Sequence, residues 1–221
     1  MLMESRGLFV PSEKPFGYNL SLRLANEQLA KIDVERQCRN SGAEFHSSQN
    51  IIELGYINQI YRITVPSGEI CAAKSGEEVR IRDKILILHY FITAQGVLLS
   101  HNLISYKELP EGAVYYPTFF QRSIKPFVKA FSGEPQRLIP VSEKLGGRRA
   151  DFGTFSATIN AFPMVPITLV LWQGDAEFPP EGNILFDSTI SHYLPAEDII
   201  VACETVSHKL VKLLKTAPEI K

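Results

Sequence analysis

The chain has 221 residues, of which 45% are hydrophobic and 10% aromatic, ample for a conventional buried core. Its 23 basic residues nearly cancel its 24 acidic ones, which removes the long-range field that a dedicated nucleic-acid or anionic-membrane binder carries. Apolar runs such as Ile85–Leu88 and Ile167–Trp172 fall far short of the roughly 20 residues that cross a bilayer, and the opening MLMESRGLFVPSEK has an acid at Glu4 and no sustained apolar stretch, so a cytoplasmic protein is expected.

Cys38, Cys71 and Cys203 are widely separated and form no C-x-x-C, which argues against a disulfide framework or a cysteine-ligated cluster. They read as small semi-buried hydrophobes.

In chain order, Tyr18, Leu22, Ala25, Leu29 and Ile32 recur at helical spacing with charged residues between them, predicting one amphipathic helix that ends near Asn40-Ser41-Gly42. From Gln49 to Lys74 the texture turns β-branched and aromatic, with Gly55 and Pro66-Ser67-Gly68 as turn signals, predicting a small antiparallel meander. Ser75 and Glu78 have capping-box spacing before VRIRDKILILHYFITAQG, predicting a helix over Glu78–Ala94 that stops at Gln95-Gly96. VLLSHNLISYKEL reads as extended. Phe119 to Phe131 reads as a helix that Pro126 kinks or restarts.

Residues 132–153 hold Gly133, Pro135, Pro140 and Gly146-Gly147-Arg148-Arg149, predicting a mobile loop. TFSATINAF, VPITLVLW and ILFD then read as strands, with Pro163 and Pro166 at strand beginnings or edges. The chain finishes in a helix over Pro195–Leu214. Glu197 and Asp198 lie in its first turn, Lys209, Lys212 and Lys215 near its end, and Ile199, Cys203, Val206, Leu210 and Leu213 form its buried stripe. Helices and antiparallel signals without regular βαβ alternation predict an α+β fold, a mixed but mainly antiparallel sheet packed by two or three long helices. One domain over residues 1–221 is expected, with poor order at 1–16 and 216–221.

The densest group of acids lies in LVLWQGDAEFPPEGNILFD, where Asp175, Glu177 and Asp187 border an apolar strand. Clustered carboxylates can split their pKa values for acid/base work or hold a hard cation, so these three are the catalytic candidates; the simpler reading is a Gly174-Asp175 turn, a solvated Glu177 and a strand-ending Asp187. Arg82 and His89 are seven residues apart and share a helix face, suited to gripping an anionic ligand or to internal ion pairing. Trp172, Tyr90 and Phe178 are the candidate apolar walls of a ligand pocket. His46, His101, His192 and His208 show no metal-ligand spacing, no metal site is assigned, and no P-loop, H-E-x-x-H or G-x-S-x-G motif occurs.

RDKILILHYFITAQG, LISYKELPEG with Tyr115 and Phe119, and above all LVLWQGDAEFPPEGNILFD followed by HYLPAED resemble an uncharacterised family, a domain of unknown function found in cytoplasmic proteins of strictly anaerobic bacteria and archaea. The resemblance runs from about Tyr18 to Leu214, and its specific part is Trp-x-Gly-Asp-x-Glu-Phe-Pro. Some relatives carry an added iron–sulfur domain similar to that of the corrinoid/iron–sulfur protein. What the resemblance implies is an accessory protein of anaerobic metabolism that binds a small anionic ligand or cofactor, a corrinoid or other tetrapyrrole among the candidates. Arg82, His89, Tyr90, Trp172 and Phe178 are then the binding residues. With no cysteine cluster in this chain, an iron–sulfur cluster would come from a partner protein. Two other classes stay open: an acid/base or metal-assisted hydrolase using Asp175, Glu177 and Asp187, and a scaffold that docks on an iron–sulfur partner through Trp172 and the Phe-Pro-Pro turn.

Overall fold

The computed structural model describes residues 15–216. Two helices stand where the sequence predicts one: α1 (Pro15–Leu29) and α2 (Val34–Ser41). The break has a local cause, since the Asp33 carboxylate accepts the Arg36 N–H at 3.0 Å and caps a new helix start. Gly42, at φ +71°, then ends α2 in the left-handed conformation that a side chain disfavours.

The predicted meander is a four-stranded antiparallel sheet of β1 (Glu44–His46), β2 (Ile51–Tyr56), β3 (Gln59–Thr64) and β4 (Ile70–Ala72), in that order. Ile52, Leu54 and Tyr56 are buried and their neighbours only half so, the alternation of a strand with one covered face. The β2–β3 turn is made by Ile57 and Asn58, both at positive φ, so Gly55 sits inside β2 opposite Ile60. The Ser75–Glu78 capping box does not form. Ser75 Oγ accepts the Glu77 N–H, Glu78 bridges to Cys71 as a continuation of the sheet, and helix α3 runs from Ile81 to Thr93. Its last carbonyls are held from outside, because Gln37 Nε2 lies 2.6, 3.1 and 2.7 Å from the oxygens of Phe91, Ile92 and Ala94.

Beyond α3 come the short strand β5 (Leu103–Ser105), α4 (Gly112–Phe119), a π-helical turn at Phe120–Ile124 and α5 (Lys125–Phe131). The wide turn accommodates Pro126, which has no N–H to give the preceding turn and a ring that would collide with it. Residues 132–153, predicted as loop, contain α6 (Leu138–Glu143) and the two-residue strand β6 (Arg148–Arg149). Leu138 and Val141 anchor α6 in the core, a spacing that the surrounding prolines and glycines obscure in the sequence.

The second sheet adds β7 (Phe155–Phe162), β8 (Val165–Trp172) and β9 (Glu181–Asp187), in the order β5-β9-β8-β7-β6, every pair antiparallel. All residues from Ile167 to Leu171 are buried, so both faces of β8 are covered. Thr158 and Thr168, opposite each other in register, satisfy their hydroxyls mutually at 2.8 Å. Helix α7 (Ala196–Thr216) closes the fold, and its burial includes Ile199, Cys203, Val206 and Leu210. The class is α+β as the sequence predicts, with two antiparallel sheets in place of one.

The sheets meet where the Ile57 N–H donates to the Ala161 carbonyl at 2.9 Å. A column of rings crosses the same boundary: Tyr56 stacks on Phe162 with centroids 4.8 Å apart, Phe162 on Tyr90 at 4.1 Å, and Tyr90 faces Tyr193 at 6.0 Å. Among the described residues no helix is long and apolar enough to cross a membrane. The expectation of poor order at 1–16 and 216–221 concerns stretches that lie almost entirely outside those residues.

Candidate functional site

α3 and α7 run antiparallel, which is why two side chains seven residues apart on α3 find two acids on α7. At the N-terminal end of α3 the Arg82 guanidinium binds Glu204 Oε2, and Arg122 from the π-helical turn reaches the same oxygen at 2.5 Å. Burial raises the Glu204 pKa, but the hydrogen bonds from Arg82 and Arg122 outweigh it and hold the carboxyl below its usual range. At the other end His89 Nδ1 lies 2.7 Å from Asp198 Oδ2, a hydrogen bond that lifts the imidazole pKa against the opposing effect of burial. Arg82 and His89 therefore share a face as their spacing predicts, and both meet α7 instead of the acids of residues 175–187.

The other expected site residues are dispersed. Tyr90 is fully buried, its hydroxyl donating to the Ser41 carbonyl at 2.7 Å and accepting the Met164 N–H. Asp175 is a turn former: Oδ1 accepts the N–H groups of Glu177 and Phe178, each at 2.8 Å, and these bonds lower its pKa. Trp172 and Phe178 are exposed at 43% and 66% on either side of that turn. Glu177 points to solvent. Asp187 is at the far end of β9, since Glu181 pairs with Trp172 while Asp187 pairs with Leu103. Six residues of strand at ~3.3 Å each put it roughly 20 Å from the turn. It is buried and accepts five hydrogen bonds, from Ser100 N and Oγ, His101 N, and Thr189 N and Oγ1. Burial pushes its pKa up, and the Thr189 and Ser100 donors overcome that and bring it down to about 2. The three acids do not converge.

A different constellation does. A cleft of about 550 Å³ opens between the edge of the first sheet, the start of α3 and the C-terminal half of α7. Its charged lining is Arg80, Arg82, Lys209 and Lys212 against Glu77, Glu78 and Asp83, with His208, Thr205 and Tyr61 among them. Thr205, Lys209 and Lys212 follow one another at four and three residues and so occupy one side of α7. Most charges around the cleft are matched. Asp83 takes Arg80 at 2.8 Å and the Tyr56 hydroxyl at 3.2 Å, Glu78 takes Lys84 at 3.3 Å, and Glu204 takes Arg82. Among the described residues Lys209, half-buried, makes neither a hydrogen bond nor an ion pair, and Lys212, more exposed, makes none either. Burial lowers the Lys209 pKa, Asp83 opposes that, and Arg80 and Lys212 add to it.

Of the residues named from the sequence only Arg82 lines this cleft. Lys209 and Lys212 looked like cations complementing the end of a helix dipole. The signal that separates them from that role is their alignment with Thr205, which is buried, on the edge of the apolar stripe. The Gly146-Gly147-Arg148-Arg149 stretch forms no anion-binding loop: Arg148 and Arg149 pair with Thr158 and Ala157, and Gly147 is packed so that a Cβ would lie 2.8 Å from the Ser142 carbonyl. Among the described residues no group of three or more His, Cys, Asp or Glu side chains is placed to hold a metal ion.

An α+β protein of two antiparallel sheets, with a charge-lined cleft where one sheet edge meets two antiparallel helices, is what fold and site define. The chain belongs to the family described as a domain of unknown function (DUF3786), whose model matches residues 33–209. That span includes both sheets and α7 as far as Lys209. No curated protein and no solved structure matches the chain.

Proposed function

We propose that the protein binds a small anionic ligand in the cleft between α3, α7 and the first sheet. The observation that carries this reading is the pair Lys209 and Lys212, which form no ion pair among the described residues and line, with Arg82, a cavity within the roughly 300–1,000 Å³ range of small-molecule sites. A half-buried ammonium without an acceptor is costly, and an anion at that place removes the cost. The walls first expected for a tetrapyrrole, Tyr90, Trp172 and Phe178, do not line this cleft, which favours a compact metabolite over a macrocycle. Isothermal titration with inorganic phosphate and with succinate tests the proposal. Binding that weakens at least about tenfold in Lys209→Met combined with Lys212→Met is the expected result. Equal binding in the double variant, or no binding of either anion, would overturn it.

A second reading, docking on a partner protein, draws support from the exposed rim of the second sheet. Trp172 and Phe178 stand there with Phe152, itself 43% exposed and followed by Gly153, whose Cβ position is 3.4 Å from Trp172 Cε2. Large aromatics on one rim are what an interface anchor needs. The resemblance to proteins fused to iron–sulfur domains makes an iron–sulfur protein the candidate partner. Pull-down by an immobilised iron–sulfur domain of such a relative, lost in Trp172→Ala with Phe178→Ala, is the check. Hydrolysis by Asp175, Glu177 and Asp187 has no such support, because β9 separates the first two from the third.

A further inference from the structure

We infer that Lys209 is a nucleophile that condenses with the carbonyl group of a small oxo acid, an inference that rests on the anion-binding reading of the cleft. Three features converge on that amine. It lines a cavity, where a ligand can reach it; among the described residues no hydrogen-bond acceptor or ion-pair partner holds its nitrogen; and the cations whose charge acts on it, Arg80 and Lys212, can fix a carboxylate while the adjacent carbonyl meets Nζ, with Asp83 as the one acid that opposes them. Of the other charged groups of the cleft, Arg80 is committed to Asp83, Glu78 to Lys84 and Arg82 in part to Glu204, while Glu77 and Lys212 form no ion pair among the described residues. Thr205 Oγ1 donates to the Val201 carbonyl at 2.8 Å, and the Tyr61 hydroxyl to Gln59 Oε1 at 2.8 Å, so the proton of each hydroxyl is already engaged.

Burial also depresses the Lys209 ammonium, with Asp83 opposing and Arg80 and Lys212 assisting, which enlarges the share of free amine at neutral pH relative to an exposed lysine. The chemistry needs no oxidant or metal. The Nζ lone pair forms a bond to the carbonyl carbon as the C=O π bond breaks, and a proton passes from nitrogen to the oxygen to give a carbinolamine. That oxygen takes a second proton from solvent and leaves as water while C=N forms, and the resulting iminium nitrogen returns a proton to solvent. One amine and one carbonyl thus become one imine and one water. The flanking cations select a carbonyl next to a carboxylate over a neutral aldehyde.

The test uses the full chain with glyoxylate as the oxo acid, sodium cyanoborohydride as hydride donor to trap the imine, and peptide mass mapping. Glycolate, which has the carboxylate and no carbonyl, is titrated in parallel. The expected result is one reduced adduct on Lys209, formed about tenfold faster than on Lys212 because the carboxylate is held beside it, and suppressed by glycolate. Lys209→Arg should lose the adduct, with an unchanged circular dichroism spectrum to establish that it folds. Glycolate binding without preferential labelling of Lys209 overturns the imine and leaves the anion site standing. Absence of both glycolate binding and selective labelling overturns both.

Discussion

Arg82 on α3 and Glu204 on α7 form an ion pair on the one carboxylate oxygen, Oε2, that Arg122 also uses, so a single acid holds two guanidiniums from two different elements. Glu204 is 9% exposed and the arginine side chains about a third, which makes the acid the harder member to replace. Glu204→Ala leaves two half-buried cations facing each other, and a loss of about 2–4 kcal/mol is expected, near the lower end for a broken buried pair. Arg82→Ala should cost less, about 1–2 kcal/mol, because Arg122 still neutralises the acid. Urea midpoints of the two variants check the order; Arg82→Ala more damaging than Glu204→Ala would contradict it.

The His89–Asp198 pair predicts a pH dependence of opposite sign to that of most carboxylates. The folded imidazole pKa is raised above its unfolded value of about 6.5, so the pair's stabilisation is complete below that pH and fades as pH climbs through the folded pKa. In Asp198→Asn this loss on the alkaline side should disappear. Thermal midpoints from pH 5 to 9, wild type against variant, measure it, and parallel curves would remove the pair from the stability of the protein.

Asp187 governs the acid limb. Its folded pKa of about 2 lies below the unfolded value, so its contribution is present above pH ~4 and lost as pH falls toward 2, worth about 2 kcal/mol at neutral pH. Asp187→Asn should flatten stability between pH 4 and 2 and lower it at pH 7. By contrast Glu177→Gln, an exposed change, should stay within about 0.5 kcal/mol of wild type, and Asp175→Ala should loosen only its own turn. Unfolding of the Glu177→Gln protein at neutral pH would mean that the side chain has a structural role.

Within residues 132–153 the fold leaves the basic sites unequal. Arg137 is buried against Glu134 and the Leu214 carbonyl, while the Arg149 side chain is 77% exposed. Limited trypsin digestion should cut first after Lys144, Arg148 or Arg149 and spare Arg137 until the protein unfolds. First cleavage within α3 or α7 would count against a mobile stretch there.

Local signals carried the fold class. The alternation in IIELGY, the β-branched run of β8 and the matched charges of α7 each reflect a single element, and each element is present. What failed required knowledge of a distant partner. Ser75 and Glu78 have the spacing of a helix cap, but Glu78 completes a sheet edge with Cys71. Asp175 and Asp187 are close in sequence, yet an intervening strand carries them to opposite ends of a sheet. The cleft was illegible for the same reason, because Arg80 and Lys209 meet only once α3 and α7 are packed antiparallel.

The ring column and the single tryptophan sit in different places, and this divides what light can report. Tyr56, Phe162, Tyr90 and Tyr193 are buried where the two sheets join, and Tyr106, Phe119 and Phe186 form a second buried group, so near-ultraviolet circular dichroism, sensitive to rings held in a fixed asymmetric setting, follows the interior. Trp172, at 43% exposure on the outer rim, dominates the emission spectrum and follows the rim alone. An occupant of the α3–α7 cleft would leave the tryptophan colour untouched, whereas anything seated on the rim would shift it, so one fluorimeter trace can tell the two modes of binding apart.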